Sequence, residues 1–316
     1  MPYAIDPELA PFVELIPPLG LRDPASARAS LDALLAPLNA SVDLTGVDVE
    51  DCTIPGPEDA PEVLVRIYRS SAADGPRPAF IDIHGGGFIV GSIEMQLAGS
   101  AALARALDVV VVTPEYRLAP EHPFPAGLED CYATLTWVHQ HADELGVDAA
   151  HVGIGGQSAG GGLAAALALL ARDRGGPPVC FQLLGIPELD HRAATTSMRT
   201  FVDTPLLTRD DIVASWAHYL GPDPGEVSHY ASPALADDLT DLPPAYVATM
   251  ELDPLRDEGI AYALRLLEAG ISVELHSFPG TFHGSSIMTT AAVSRRAEVE
   301  QLAAIERGLG LTPPPA

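Results

Sequence analysis

The chain has 316 residues, of which 47% are hydrophobic and 19% are charged, a composition typical of globular proteins. Its formal net charge of −26 repels phosphate groups, so we expect neither a nucleic acid nor an anionic membrane as a partner. The 17 basic residues are all arginine, and the absence of lysine excludes P-loop nucleotide hydrolases, protein kinases and Schiff-base enzymes.

Further features of the sequence bear on the location of the protein and on metal binding and disulfide formation. The run MPYAIDPELAPFVELIPP is interrupted by acidic residues and prolines instead of forming the apolar stretch of a signal peptide, so we expect a cytoplasmic protein. The pair His139 and His141 lacks an HExxH pattern, which favours a solvated helix face, and we expect neither a metal nor a cofactor. We expect free thiols, not a zinc site or a disulfide framework, at Cys52, Cys131 and Cys180.

From about residue 62, β-rich runs alternate with longer helical patterns. This alternation predicts an α/β fold, with a mostly parallel sheet covered by helices on both faces. The predicted strands are Glu62–Arg69, Pro78–His84, Val109–Thr113, His151–Gly155, Val179–Leu184, Ala245–Met250 and Ser272–Phe278. The predicted helices are Met95–Leu107, Leu128–His141, Ala159–Arg172, Asp210–Leu220, Asp257–Ala269 and Thr290–Glu306.

Two segments do not follow the alternation. Residues 1–50 are helical and punctuated by proline, and residues 188–235 separate two predicted strands. We predict that both belong to a helical cap over an α/β core made of residues 51–187 and 236–316. Apolar cap residues are candidates for an acyl pocket, although their spacing also suits any packed helix: Phe12, Val13, Leu206, Leu207 and Trp216.

The run Gly156-Gln157-Ser158-Ala159-Gly160 lies between a predicted strand and a predicted helix, where a GxSxG nucleophile elbow belongs. Such an elbow holds the serine in a strained backbone, so its neighbours must be small. The helix behind the serine directs free amides and a positive dipole end at a developing anion. The bare pattern also fits a Gly-rich packing turn, so the interpretation depends on partners elsewhere in the chain.

A glycine-rich loop, HGGGF at residues 84–88, follows the predicted strand Pro78–His84. Glycines leave the backbone amides accessible, which suits an oxyanion hole for a tetrahedral intermediate. A phosphate-binding loop is the rival interpretation. The sequence disfavours it, because the chain has no lysine and the loop has no GxGxxG register.

The run ELDPLRD at residues 251–257 begins where a predicted strand ends, at the sheet edge where α/β active sites gather. It offers three acids for the orienting carboxylate of a catalytic triad. We favour Asp253, and Glu251 and Asp257 are the alternatives.

The run FPGTFHG at residues 278–284 follows the last predicted strand and contains His283. A single loop histidine carries little information by itself. The order Ser158, Asp253, His283, however, is that of an α/β-hydrolase triad, with each residue after a predicted strand.

With its HGGG loop, GQSAG elbow and DPL acid loop, the chain resembles the bacterial hormone-sensitive-lipase-like esterases over most of its length. The run YRLAPEHPFPA at residues 116–126 resembles another signature of that family, and we expect it to brace the sheet and the His84 loop. The resemblance implies a serine carboxylesterase that hydrolyses short- to medium-chain acyl esters through an acyl-enzyme intermediate. By position it implies Ser158 as nucleophile, His283 as general base and acid, Asp253 as orienting partner, and the amides of Gly86, Gly87 and Ala159 as the oxyanion hole.

The chain departs from the family pattern at Gln157, where Asp or Thr is usual, and at Ser285, where an aromatic residue is common. The same triad also serves amidases, lactonases and transacylases. Some relatives have replaced the catalytic histidine and bind small molecules without hydrolysis, and His283 favours an enzyme here. We expect a small-molecule ester as the partner, and the resemblance leaves a homodimer open.

Overall fold

An eight-stranded sheet is the centre of the fold in a computed structural model that describes residues 3–16, 18–71 and 75–311. Its order is β1-β2-β4-β3-β5-β6-β7-β8, with β2 antiparallel to both β1 and β4 and all other pairs parallel. The strands are β1 Val47–Ile54, β2 Val63–Ser70, β3 Arg77–Ile83, β4 Val110–Pro114, β5 Val147–Gln157, β6 Phe181–Gly185, β7 Ala245–Met250 and β8 Val273–Phe278.

Helices cover both faces of this sheet. The α-helices are α1 Ala10–Val13, α2 Pro24–Asn39, α3 Leu97–Leu107, α4 Ala126–Gln140, α5 Ala142–Leu145, α6 Ala159–Asp173, α7 Thr196–Thr200, α8 Arg209–Leu220, α9 Arg256–Glu268 and α10 Ala292–Gly308. Short 3₁₀ helices lie at Ile93–Met95, Pro233–Leu235 and Ser285–Ile287.

Alternate residues of the central strands enter two different hydrophobic cores. Phe80 and Val111 pack with side chains of α3 and α10, whereas Ile81 and Val112 pack with side chains of α4, α6 and α9. Both faces of these strands are therefore buried, which explains their nearly continuous apolar sequence. The predicted α/β class is confirmed.

Helix α6 begins directly behind the central strand β5 and is the most deeply buried helix of the fold. Every residue from Ala159 to Ala171 is buried, in agreement with its apolar sequence. Across the described residues, no helix is both long and apolar enough to cross a membrane.

The strand β1 was not predicted, and it begins within the segment 1–50 assigned to the cap. Its sequence, VDVEDCTI, is acidic and lacks the continuous apolar run of the inner strands. As an edge strand it is paired on one side, to β2, and most of its side chains stay at least partly exposed. The antiparallel pairing, together with the burial of Val47 and Ile54 at the two ends, explains why this acidic run is a strand.

The two segments predicted to form a cap contact each other. The backbone N–H of Leu19 donates to the carbonyl of Leu206 at 3.2 Å, and that of Leu21 donates to the Asp211 carboxylate at 3.0 Å. The division into core and cap at residues 50, 187 and 235 stays a prediction. The end of its last segment, residues 312–316, lies outside the described residues.

Candidate active site

Ser158 lies in the sharp turn that joins β5 to α6. Its backbone has φ +57° and ψ −122°, a strained conformation for a residue with a side chain. The elbow packs tightly against the end of β3: a Cβ added to Gly160 would lie 2.1 Å from the Ile83 carbonyl oxygen. Only glycine fits there, so the small residues of the motif allow the strained turn to form.

His283 joins Ser158 to Asp253. Its Nδ1–H donates to Asp253 Oδ2 at 2.7 Å, which leaves Nε2, 3.0 Å from Ser158 Oγ, to accept the hydroxyl hydrogen. The exposed fractions of the residues are 9% for Ser158, 1% for Asp253 and 4% for His283. The three residues come from loops after β5, β7 and β8, so the parallel strands deliver them to one edge of the sheet.

The other two acids of the ELDPLRD loop have different partners. Glu251 accepts the backbone N–H of Gly280 at 2.6 Å and so connects the acid loop to the loop of His283. Asp257 accepts the backbone N–H of Ser197 at 2.7 Å, at the start of α7. The structure therefore brings Asp253, and neither Glu251 nor Asp257, to the histidine.

The HGGGF loop lies against the elbow. A Cβ added to Gly85 would lie 2.8 Å from the carbonyl oxygen of Gln157, the residue before Ser158. In the described part of the chain, the backbone amides of Gly86, Gly87 and Ala159 donate no hydrogen bond, so they are available to a ligand. Free backbone amides in a loop that packs against Ser158 are what an oxyanion hole requires.

The YRLAPEHPFPA run braces this loop, as predicted. The Tyr116 hydroxyl donates to the His84 carbonyl at 3.0 Å, and the two rings stack with centroids 4.1 Å apart. Burial lowers the pKa of His84 to about 4, so its ring is neutral. The Arg28 guanidinium of α2 binds the Glu121 carboxylate and also donates to the Ile89 carbonyl at 2.7 Å. The N-terminal segment is thereby attached, at Ile89, to the end of the HGGGF loop.

Of the two departures from the family pattern, the Gln157 side chain has a hydrogen-bond partner, whereas the buried Ser285 hydroxyl has none among the described residues. The Gln157 side chain points to α10, where its amide donates to the Gln301 side-chain carbonyl at 2.9 Å. Ser285 is fully buried, and its carbonyl accepts the Ser294 hydroxyl of α10 at 2.9 Å. Nothing in the sequence pattern singled out Gln301 or Ser294.

Sequence reasoning also missed a buried carboxyl beside the site. Glu188 lies in the loop after β6 and is 2% exposed. Burial raises its pKa to about 8, and the negative charge of Asp253 adds to the rise. Its carboxyl contacts Ser215 on α8. An acid within the apolar run GIPEL was the available signal.

Within the described part of the chain, no group of metal-binding side chains lies at this site. Among the described residues, one group of metal-binding side chains has its ligand atoms within 4.8 Å of one another, Glu274, His276 and Glu300 on β8 and α10. The Glu274 carboxylate already contacts the His276 ring and forms an ion pair with Arg307. His139 and His141, predicted to lie on a solvated helix face, are only partly exposed, and the Nε2 atom of His139 is buried. Their Nδ1 atoms each lie 3.0 Å from a carbonyl oxygen one helical turn earlier.

Comparisons with known proteins give one family. Residues 80–286 match the family model described as alpha/beta hydrolase fold. Carboxylesterase NlhH of Mycobacterium tuberculosis is 38% identical over 291 residues, which are 90% of this chain and 89% of the relative. The solved structure of a bacterial heroin esterase matches with a TM-score of 0.95 and 52% sequence identity. The match covers 97% of this chain and 98% of the esterase chain. Esterase LipW of Mycobacterium marinum has a TM-score of 0.88 and 37% identity, covering 96% of each chain.

Proposed function

Because this chain belongs to the α/β-hydrolase fold family, within its hormone-sensitive-lipase-like esterases, and is an ester-hydrolysing enzyme, we propose that it is a serine carboxylesterase acting through an acyl-enzyme on Ser158. The observation that carries this proposal is the single imidazole of His283 held between Ser158 Oγ and Asp253. A histidine in this position can move a proton from the nucleophile to the leaving group.

In the first half-reaction, His283 Nε2 takes the hydroxyl proton as Ser158 Oγ attacks the ester carbonyl. Asp253 orients the ring through Nδ1 and stabilises the imidazolium that forms. The tetrahedral intermediate then collapses, and the departing alcohol receives the proton from His283. Water repeats the sequence on the acyl-enzyme and releases the carboxylic acid.

The proposed oxyanion hole consists of the amides of Gly86, Gly87 and Ala159. They carry the developing negative charge without any reorganisation, because the loop is already braced by its neighbours. The N-terminus of α6, which starts at Ala159, adds its positive dipole end to the same position. This arrangement supports acyl transfer over simple binding of a neutral ligand.

We propose short- to medium-chain acyl esters as substrates, because the cap segments approach both catalytic loops closely. A Cβ added to Gly87 would lie 2.8 Å from the Leu21 side chain, and one added to Gly284 would lie 2.6 Å from that of Leu206. Of the predicted pocket residues, Leu207 and Trp216 pack in the main core, while Phe12 and Val13 pack beside Phe282. A homodimer and a cytoplasmic location stay predictions of the sequence.

A graded series of p-nitrophenyl esters, from acetate to laurate, tests the proposal. We expect hydrolysis and labelling of the Ser158 peptide by a fluorophosphonate, with kcat/KM falling for the longest chains. Ser158→Ala should lose both, with a roughly 10⁶-fold drop in kcat. Ser30→Ala, which removes an exposed hydroxyl on α2, is the matched control.

Turnover of amides or lactones in preference to these esters would replace the esterase proposal with another acyl transfer by the same residues. Folded wild-type protein that neither hydrolyses the series nor reacts with the fluorophosphonate would overturn it in favour of a small-molecule-binding protein.

A further inference from the structure

A chain of two hydrogen bonds leads from the buried carboxyl of Glu188 to the oxyanion loop. Glu188 Oε1 lies 2.9 Å from the hydroxyl oxygen of Ser215, and the same hydroxyl lies 2.9 Å from the carbonyl oxygen of Gly87. Ser215 is fully buried on α8. Two elements thus meet at one hydroxyl: the loop after β6 and the loop that carries the oxyanion amides.

The number of available hydrogen atoms determines which group donates in each of these two hydrogen bonds. A serine hydroxyl has one hydrogen, and the Gly87 carbonyl can only accept, so the hydrogen of Ser215 serves either Gly87 or Glu188. Both short contacts are hydrogen bonds at once only when Glu188 carries a proton. The neutral acid then donates to Ser215 Oγ, and the Ser215 hydroxyl donates to Gly87.

The surroundings of Glu188 favour the neutral acid. The titratable groups that interact with it electrostatically are Asp253 after β7, Glu258 on α9, Tyr219 on α8 and Tyr116 after β4, and none of these four is a cation. Burial raises the pKa of Glu188 to about 8.

The peptide bonds around Glu188 fix its position. Its own N–H donates to the Ser158 carbonyl at 3.1 Å. The next two amides, those of Leu189 and Asp190, donate to Glu258 Oε1 at 2.6 and 3.1 Å. The backbone that carries the Glu188 carboxyl is therefore hydrogen-bonded both to the elbow at Ser158 and to α9.

We propose that Glu188 is a positioning residue of the esterase, which as a neutral carboxylic acid holds Gly87 of the oxyanion loop in place through Ser215. This inference rests on the proposed function, since it assigns Gly87 to the oxyanion hole. When Glu188 loses its proton, the carboxylate competes for the only hydrogen of Ser215 and the Gly87 carbonyl loses its partner. A less restrained Gly87 stabilises the transition state poorly, so the effect falls on kcat and not on KM.

The test compares kcat and KM for p-nitrophenyl acetate from pH 6 to 10 in wild type, Glu188→Ala, Glu188→Gln and Ser215→Ala. We expect wild-type kcat to fall as the pH rises through about 8. Ser215→Ala and Glu188→Ala should lower kcat by roughly tenfold to a hundredfold with KM changed by less than about twofold. The amide of Glu188→Gln donates to Ser215 without titrating, so this variant should restore kcat and lose the decline at high pH.

Asp82→Asn is the matched control, because it neutralises another carboxyl of raised pKa, on β3, which binds Ser100. It should keep the wild-type decline at high pH. A Glu188→Gln enzyme with the wild-type decline, or a Ser215→Ala enzyme with wild-type kcat, would overturn the inference alone. Wild-type protein without esterase activity would overturn the proposed function and this inference with it.

Discussion

Gln157 and Gln301 are joined by a side-chain hydrogen bond of 2.9 Å. Gln157 immediately precedes Ser158, and Gln301 lies on α10. The Gln157 side chain also covers Gly185 at the end of β6, where an added Cβ would lie 2.0 Å from Gln157 Oε1. The residue that departs from the family pattern thus attaches the elbow to the last helix.

Gln301→Ala should lower stability, because it leaves the half-buried amide of Gln157 without this partner. One such hydrogen bond contributes about 1 kcal/mol to the free energy of unfolding, which corresponds to a drop in Tm of about 2 °C for a chain of this size. Thermal unfolding followed by circular dichroism measures the change. Gln140→Ala, on the exposed end of α4, is the control, and an equal drop in both variants would contradict the role assigned to the pair.

Asp253→Asn should lower kcat on the order of 10⁴-fold, because an amide does not hold the imidazole of His283 in the tautomer that accepts the Ser158 proton. Asp257→Asn removes the same charge four residues away, and its side chain can still accept the Ser197 amide, so kcat should stay within about threefold of wild type. Steady-state kinetics on p-nitrophenyl acetate separates the two. The reverse order of effects would show that the carboxylate has been assigned to the wrong residue.

Gly86→Ala should lower kcat by at least about 10²-fold, the effect of losing one oxyanion donor. Gly86 has φ +113°, and an added Cβ would lie 2.1 Å from the Val90 carbonyl oxygen, so the loop must move. Gly175→Ala is the control, because Gly175 also has a positive φ, +57°, but has no atom within 4 Å of an added Cβ. Initial rates and KM measure the effect, and near-normal kcat in Gly86→Ala would remove this loop from the oxyanion hole.

The meeting of Ser158, Asp253 and His283 could be predicted from the sequence for a physical reason. Ser158, Asp253 and His283 each follow a strand, and parallel strands present their carboxyl ends at one edge of the sheet. Contacts between residues that are 125 and 30 positions apart can therefore be predicted without any knowledge of side-chain packing. Local pattern and strand direction were sufficient.

The parts that were missed depend on tertiary pairing. The acidic edge strand β1 alternates apolar and polar residues only over its first four positions, 47–50, and is completed by its pairing with β2. The link from Ser215 to Gly87 spans 128 positions and depends on how α8 lies over the sheet. A single glutamate and a single serine leave no periodic signal, so only the folded structure reveals that they interact.

The neutral state of Glu188 makes a prediction about stability that does not depend on catalysis. The pKa of this carboxyl rises from 4.5 to about 8 on folding, so between these values the folded chain binds a proton that the unfolded chain has lost. The protonated Glu188 carboxyl makes its full contribution to the free energy of unfolding below pH 4.5. This contribution is lost as the pH rises to about 8, at up to about 1.4 kcal/mol per pH unit. Glu188→Gln has no such proton to lose.

Urea unfolding at intervals from pH 5 to 9 should therefore show Glu188→Gln gaining stability relative to wild type up to about pH 8 and no further. Asp82→Asn provides the comparison, because burial raises the pKa of Asp82 only to about 6, so its difference from wild type should be constant above that pH. A Glu188→Gln difference that is constant from pH 5 to 9 would mean that Glu188 is ionised in the folded enzyme. The Ser215 hydroxyl would then donate to the Glu188 carboxylate, and the Gly87 carbonyl would not accept a hydrogen bond from Ser215.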